Sequence, residues 1–439
     1  LTYRDVQQIL ALAARHFDFA DPGLQTNGAG YLISHNVGFG VPEAAQAVAL
    51  ALRWSSRPQQ EQFTFTATNT IAVPDDGLRV LISGPGVPED LTSIGTLPST
   101  GPHADTPTPA LPLADFGYGT NLAGYNLTNH GALIQRGAAT FAAAITSAAQ
   151  AGAAFAVVYN YPGDPPGGDQ LVPMGATDFV PIPAVFIGHT AGERLKQLFL
   201  TNQTALAQIH LESTNFTFAV TNSVLCEQVG LRVLSDHPLR GDLRITLVSP
   251  SGTRSVLQQY NADTSPGPVD WTYHSTQHFF ENSAGTWTAW FSDEGEGNTG
   301  SVQSVSLVIR GVTIQDQDRD GLDDTWEVGW FNTLAQYAAG DPDQDGYSNS
   351  REQLMGTNPK VANHLPFALD LSRWNPALGR LSWPSRPGAA YEILAGADPV
   401  NLSTITNVSG TFSETEWFGP MTNGARFYRV RELGNGGIE

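Results

Sequence analysis

Residues 241–257 read GDLRITLVSPSGTRSVL. Leu243, Ile245 and Leu247 alternate with Arg244 and Thr246, the period of a strand that buries one face. Pro250 and Gly252 then shape a turn, and the chain alternates again towards Leu257. This is the clearest β-hairpin in the sequence, and the residues around it, 214–313, keep the same strand-and-turn rhythm. Residues 59–90 share it, with EQFTFTATNTIAV and LRVLIS separated by a Pro-Asp-Asp-Gly turn.

The chain has 439 residues, which predicts about three to five domains rather than one core. An apolar fraction of 41% is enough to fold them, and 45 Gly with 29 Pro implies many turns and mostly β structure. No apolar run approaches the ~18–20 residues of a membrane span. The formal net charge of −20 argues against nucleic acid and anionic lipid as partners. The single cysteine, Cys226, allows no internal disulfide, which favours a bacterial over a eukaryotic secreted source. Its neighbours Val224 and Leu225 predict a buried small hydrophobe. Low Lys with abundant Asp, Asn, Thr and Gly suits a secreted or cell-surface protein.

Upstream, LTYRDVQQILALAARHFDF opens as an amphipathic helix, with Leu1, Val6, Ile9, Leu10 and Ala13 at helical spacing and Gln8 left for another face. Gly28, Gly30, Gly38 and Gly40 punctuate turns. A helix from Pro42 to Trp54 is apolar nearly all round, which predicts burial within something larger than residues 1–58. Residues 97–113 are Pro-rich and read as a loop. The stretch 114–212 reads as α/β: GALIQRG a strand, ATFAAAITSAAQAGA a helix, FAVVYNY and IPAVFIG buried strands, and HTAGERLKQLFL a helix. From 365 onwards the alternation returns, as in a small sandwich.

The sharpest chemical signal is acidic. Asp316-x-Asp318-x-Asp320-Gly321 is followed after five residues by Glu327, and Asp341-x-Asp343-x-Asp345-Gly346 likewise by Glu352. Both fit the twelve-residue calcium loop. Alternate carboxylates converge on one hard cation, and Gly at the sixth position permits the sharp turn. The carbonyl of the seventh residue, Leu322 or Tyr347, adds a ligand, and the twelfth-position Glu closes the shell. The helix between the loops is expected to offer Trp326, Trp330, Phe331 and Leu334 as a small core. Without Ca2+, ten carboxylates would repel one another in a block holding three basic residues.

Elsewhere the sequence is chemically quiet. His274 and His278 have i, i+4 spacing but sit in strand and loop without a Glu between them. No Gly-x-Ser-x-Gly elbow, zinc helix or phosphate-binding glycine loop is present, and the serines of SPSGTRS and ENSAGTW read as turn residues. Nothing assembles a catalytic triad.

Several of these stretches resemble parts of one family. Leu1, Thr2, Tyr3, Arg4, Asp5, Val6 and Gln7, then Asn27, Gly28, Gly30, Ser34, His35, Gly38, Phe39 and Gly40, resemble the end of a kexin/furin-type subtilisin-like serine protease domain. Pro42-Glu43-Ala44 departs from the family's Leu-Asp-Ala, and His35 belongs to this structural run rather than to a catalytic set. Residues 241–257, 269–293 and 300–311, with Gly285-Thr286-Trp287, are similar to the P (Homo B) domain that follows in that family. Arg136, Gly137 and Phe141, with 149–153, resemble a protease-associated (PA) domain, although its cysteine and lysine are replaced by Ala139 and Ala144. The acidic block resembles thrombospondin type 3 or dockerin-like calcium repeats.

The resemblance implies a multidomain, mainly β chain. Residues 1–58 would be the α/β C-terminal remnant of a subtilase domain. Residues 59–90 and 213–313 would form a β-barrel or jelly-roll-like P domain, with an α/β PA insertion at 91–212. A calcium-binding loop–helix segment at 314–362 and a β-sandwich at 363–439 would complete it. The intact protein would be a secreted, calcium-dependent serine endopeptidase whose Ser, His, Asp and oxyanion Asn lie N-terminal to Leu1. This chain would then be inactive alone, partnered by an upstream catalytic domain and its peptide substrates, with a cell-surface or glycan ligand for the terminal sandwich. A non-enzymatic, calcium-binding adhesion scaffold is the alternative, and a peptidase of another type built around the PA-like segment is a third.

Overall fold

A computed structural model describes residues 1–18, 21, 23–54, 56–99, 107–120, 124–163, 168–174, 180–344, 347–361, 370–373, 378–385, 390–398, 401–410, 413–420 and 427–433. Strands predominate, and the chain divides into two compact units: residues 16–41 with 58–313, and residues 1–15 and 42–57 with 314–439. The stretch 1–58 is therefore shared between them. No helix among the described residues is long and apolar enough to cross a membrane.

The first of these units contains a two-sheet sandwich. One sheet orders Thr214–Val220, Gly285–Asp293, Leu243–Val248 and Arg254–Gln258; the other orders Trp271–Ser275, Val224–Ser235, Gly300–Thr313 and Glu61–Ala67, with Ile71–Val73 also paired to Gly300–Thr313. The expected hairpin is present, with Leu247 opposite Ser255 and Val248 opposite Arg254. Leu243, Ile245 and Leu247 are fully buried against Trp287, Phe291, Leu231 and Leu307. Each such side chain contributes about 1.5–3 kcal/mol. The other face is not solvated, however: Arg244 and Thr246 are also buried, and Arg244 pairs with the buried Glu294. Cys226 is wholly buried, as its neighbours predicted, and burial pushes its thiol well up.

Within the same unit lies an α/β module. Leu113–Asp115, Gly131–Gln135, Phe155–Tyr159 and Ala184–Ile187 run parallel, and Leu97–Pro98 closes one edge antiparallel. Every residue of Phe155–Tyr159 is buried, as a parallel strand covered on both faces requires. Both expected helices form, His189–Thr201 at the expected start and Phe141–Gln150 two residues inside it, because Thr140 caps the latter by accepting from the Ala143 N–H at 3.2 Å. The strand Leu78–Ser83 corrects one boundary. It pairs with Leu206–Leu211 and Ser93–Gly95, and Leu78, Val80 and Ile82 pack with Phe155 and Leu195, so it belongs to the inserted module rather than to the sandwich. Alternation announces a strand but not its partner.

In the second unit, the helix Tyr3–Leu12 carries a capping box between Thr2 and Asp5. Its buried face is Asp5, Gln8, Ile9 and Leu12; of the apolar set read from spacing Ile9 and Ala13 are buried, whereas Leu1, Val6 and Leu10 are 65%, 43% and 43% exposed. Asp5 faces inward because its carboxylate accepts from the Trp54 indole at 3.0 Å and the Arg57 N–H at 2.9 Å. Burial works to raise its pKa, but these bonds and those from Thr2 hold it well below the usual carboxylate range. The helix Ala44–Arg53 is likewise not buried all round, since Val48 and Leu52 are exposed. The terminal region forms two three-stranded sheets, Asp370–Arg373, Leu378–Ser385 and Ser413–Pro420, and Ser403–Ser409, Ala390–Gly396 and Phe427–Leu433. Their core is Leu381, Trp383, Tyr391, Ile393 and Val430.

Candidate functional site

The acidic block holds two short helices, Asp324–Phe331 and Asn349–Met355. The first ends at Phe331 and is shorter than the sequence suggested, with Asn332 in the left-handed region at φ 57° as its cap. Trp326, Trp330, Phe331 and Leu334 are only half-buried. The inward positions are instead Leu322 and Leu354, with Glu327, Asn349 and Glu352 fully buried among them. Carboxylates occupy the interior where aromatics were expected, because these helices are organised around their loops.

In the first loop the carboxylate oxygens of Asp316, Asp318 and Asp320 lie within 4.8 Å of one another, as do those of Asp318, Asp324 and Glu327. The turn that gathers them has Arg319 at φ 64° and Gly321 at φ 94°, with the Asp320 and Gly321 N–H groups donating to Asp316 at 3.1 and 3.2 Å. Asp320 in turn accepts from the Leu322 N–H at 2.8 Å. Asp323 caps the following helix, accepting from Thr325 N at 3.0 Å and Trp326 N at 3.2 Å. Two buried oxygens, Asp320 Oδ2 and Glu327 Oε2, have no hydrogen-bond partner among the described residues. Burial, then Asp320 and Asp318, push the Glu327 carboxyl up to about 7; burial also raises Asp316 and Asp320. A compact, all-oxygen donor set with orphaned buried lone pairs fits a hard divalent cation of the calcium type. Asp324, the ninth loop residue, belongs to this set; its position in the motif was signal enough to have found it.

Of the second loop, Asp345 and Gly346 lie outside the described residues. Asp341, Asp343, Tyr347 and Glu352 are described, and among them no such close carboxylate group forms. Glu352 is fully buried and accepts from the Thr357 hydroxyl at 3.1 Å. The Asn349 N–H donates to the Gly340 carbonyl at 2.7 Å, joining the loop's entry to its exit helix.

A second constellation escaped the sequence reading. Segment 23–40 is stitched to the sandwich. The Asn27 amide donates to the Gln277 carbonyl at 3.1 Å and the Phe279 carbonyl at 3.0 Å. The Gly28 N–H donates to Thr253 Oγ1 at 3.0 Å and to the buried carboxylate of Glu281 at 2.6 Å. Gln25 exchanges two hydrogen bonds with the Arg254 backbone, and His35 Nε2 accepts from the Val256 N–H at 2.8 Å. Tyr31 and Phe39 pack on Phe280 and Phe279 at 5.3 and 5.9 Å. His35 is thus a structural acceptor, as the sequence implied. His274 is exposed and His278 buried beside Glu281, and neither joins a metal-type group among the described residues.

In the α/β module, Arg136 donates to Asn160 Oδ1 at 3.0 Å and lies over the rings of Phe141 and Tyr161 at 5.6 and 5.3 Å. The Arg-Gly-x3-Phe element therefore works as a stacked clamp between a strand end and a helix start.

Comparison with known proteins gives these two modules their class. The family model for the proprotein convertase P-domain matches residues 226–309, and that for the PA domain matches residues 99–195. The chain carries both domains. Furin of Mus musculus is 33% identical over 150 residues, covering 33% of this chain and 18% of that protein. The dibasic-processing endoprotease of Schizosaccharomyces pombe is 30% identical over 142 residues, covering 31% and 20%. The chain thus spans a fifth or less of the length of these curated relatives. Both are eukaryotic, so they lend nothing to the expectation of a bacterial source. Among solved structures, the serine protease of Aeromonas sobria matches 71% of this chain and 40% of its own, at 16% identity and a TM-score of 0.34.

Proposed function

We propose that this chain is the non-catalytic C-terminal region of a secreted, calcium-dependent, kexin-like serine endopeptidase. The observation that carries the reading is the docking of segment 23–40 on the P-domain through Asn27, Gly28 and their partners Phe279, Glu281 and Thr253. That segment carries the residues that resemble the end of a protease domain. The P-domain thereby holds the protease-type turns by hydrogen bonds that need both sides folded. The exposed apolar residues Tyr3, Val6, Leu10, Val48 and Leu52 support a catalytic domain as the surface that covers this helix pair.

In that reading hydrolysis is performed upstream, by a Ser–His–Asp set with an oxyanion Asn, on protein and peptide substrates. The residues here stabilise that domain, and the PA module limits or recruits substrate at its rim. Asp316, Asp318, Asp320, Asp324, Glu327 and the Leu322 carbonyl would hold Ca2+ in the first loop, where it would supply charge compensation and rigidity. The second loop would hold another through Asp341, Asp343, Asp345, Glu352 and the Tyr347 carbonyl.

Peptide hydrolysis by the chain alone, set against hydrolysis by the full reading frame, tests the proposal. The full product is expected to cleave peptides and to be blocked by a serine-directed inhibitor, while this chain does neither. Inhibitor-sensitive cleavage by the chain alone would overturn it. So would an upstream sequence without a nucleophilic serine motif, and that outcome would favour a calcium-dependent binding scaffold.

A further inference from the structure

The helix Tyr3–Leu12 has no basic residue in its last turn. Its C-terminal carbonyls therefore lack the cation that usually complements that end of a helix. The group that meets them comes from the acidic block. Arg351 Nη2 donates to the Leu12 carbonyl at 3.1 Å, although the two residues are 339 positions apart. Arg351 is 2% exposed, and its guanidinium lies 4.5 Å from the centre of the Tyr347 ring. A cation this well desolvated is held where it is only if its platform is rigid.

That platform is made of residues of the second acidic loop. Arg351 sits between Tyr347 and Glu352, the seventh and twelfth positions of the second loop. Its helix, Asn349–Met355, is tied to the first loop as well: the Asp323 N–H, between the Leu322 and Asp324 positions, donates to Gln353 Oε1 at 2.7 Å. A shift in the first loop therefore moves the acceptor that fixes the helix carrying Arg351.

We propose that Arg351 is a positioning residue through which the first calcium loop grips the C-terminus of the helix Tyr3–Leu12. Cation binding closes the first loop around Glu327, whose buried Oε2 lacks a partner, and so fixes Asp323, Gln353 and the Arg351 guanidinium in sequence. The helix that resembles the support of a protease nucleophile then becomes ordered at its far end only when the first loop is filled. This coupling rests on the calcium reading above, and it adds to that reading a direction of control, from the first loop to the protease-type helix.

Calcium titration of the full chain by calorimetry, combined with backbone hydrogen exchange in EDTA and in calcium, tests it. In the unaltered chain, calcium is expected to slow exchange at the amides of residues 9–13 and 320–324 by roughly tenfold or more. Arg351→Ala is expected to keep calcium binding and the protection of 320–324 while losing the calcium-dependent protection of 9–13. Gln353→Ala should give the same pattern more weakly, which guards against a variant that simply unfolds. Calcium that binds and protects 320–324 yet leaves 9–13 unchanged in the unaltered chain overturns the coupling alone. Retained calcium-dependent protection of 9–13 in Arg351→Ala overturns the role of that residue. An absence of calcium binding overturns the metal reading together with the coupling.

Discussion

The side-chain amide of Asn27 donates to the carbonyl of Phe279 at 3.0 Å, across 252 residues of sequence. The same amide donates to Gln277, and its oxygen accepts from the N–H groups of Ala29 and Tyr31 at 3.1 and 3.0 Å. Every hydrogen-bonding direction of this buried side chain is engaged. Asn27→Ala is expected to cost about 2–4 kcal/mol, since it strands backbone groups on both partners. The neighbouring Gly28 is equally constrained, because an added Cβ would lie 2.2 Å from Ser251 Cβ. Gly28→Ala should release segment 23–40 from the P-domain, read as fast hydrogen exchange at residues 25–34 while the strand Leu243–Val248 stays protected.

Much of this architecture was legible in local pattern. The period-2 alternation of 243–247 marked a strand and its apolar face, and the continuous apolar run 155–159 marked a strand buried on both faces. The gathering of Asp316, Asp318 and Asp320 was legible because alternate carboxylates on a tight turn point to one side. What stayed hidden depended on partners remote in sequence. Asp5 looks solvent-facing until Trp54 and Arg57 supply donors, Arg244 looks exposed until Glu294 is beside it, and Leu78–Ser83 looks like any strand until Leu206–Leu211 pairs with it. Asn27 and Arg351 act through backbone carbonyls, which leave no mark in a sequence.

Arg244 and Glu294 form a buried pair at 2% and 0% side-chain exposure, with Arg244 Nη2 donating to Glu294 Oε2 at 2.9 Å. Glu294→Ala leaves an unpaired guanidinium in the sandwich and is expected to destabilise it by about 3–5 kcal/mol. Replacing both residues by apolar ones of similar volume should restore most of the loss. Urea unfolding followed by tryptophan fluorescence checks both, and equal stability in the single and double variants would contradict the account.

Cys226 is buried, its thiol points to the Val224 carbonyl at 3.8 Å, and burial with the nearby Glu281 charge pushes its pKa well up. Thiolate is the reactive form, so the native chain should resist thiol reagents at neutral pH. Labelling is expected only on unfolding, with a rate that tracks denaturant. Rapid stoichiometric labelling of the folded chain would show that the sandwich opens around the strand Val224–Ser235.

Glu327 makes the pH dependence of the acidic block predictable in sign. Burial and the neighbouring Asp320 and Asp318 raise its folded pKa to about 7, above the unfolded value of about 4.3. A raised acid binds its proton more tightly in the folded state, so its contribution is fully present below about pH 4 and is lost as pH rises through 7. In EDTA the block should therefore lose stability between about pH 5 and 8. Calcium is expected to reverse the sign, because a cation that binds the ionised carboxylates gains affinity as they deprotonate. Glu327→Gln should flatten the slope measured in EDTA and weaken calcium binding at pH 7.5, near the folded pKa. Thermal melts read through Trp326 and Trp330, with and without calcium across this range, decide the point. Parallel slopes in the two conditions would mean that Glu327 neither holds the proton nor meets the metal.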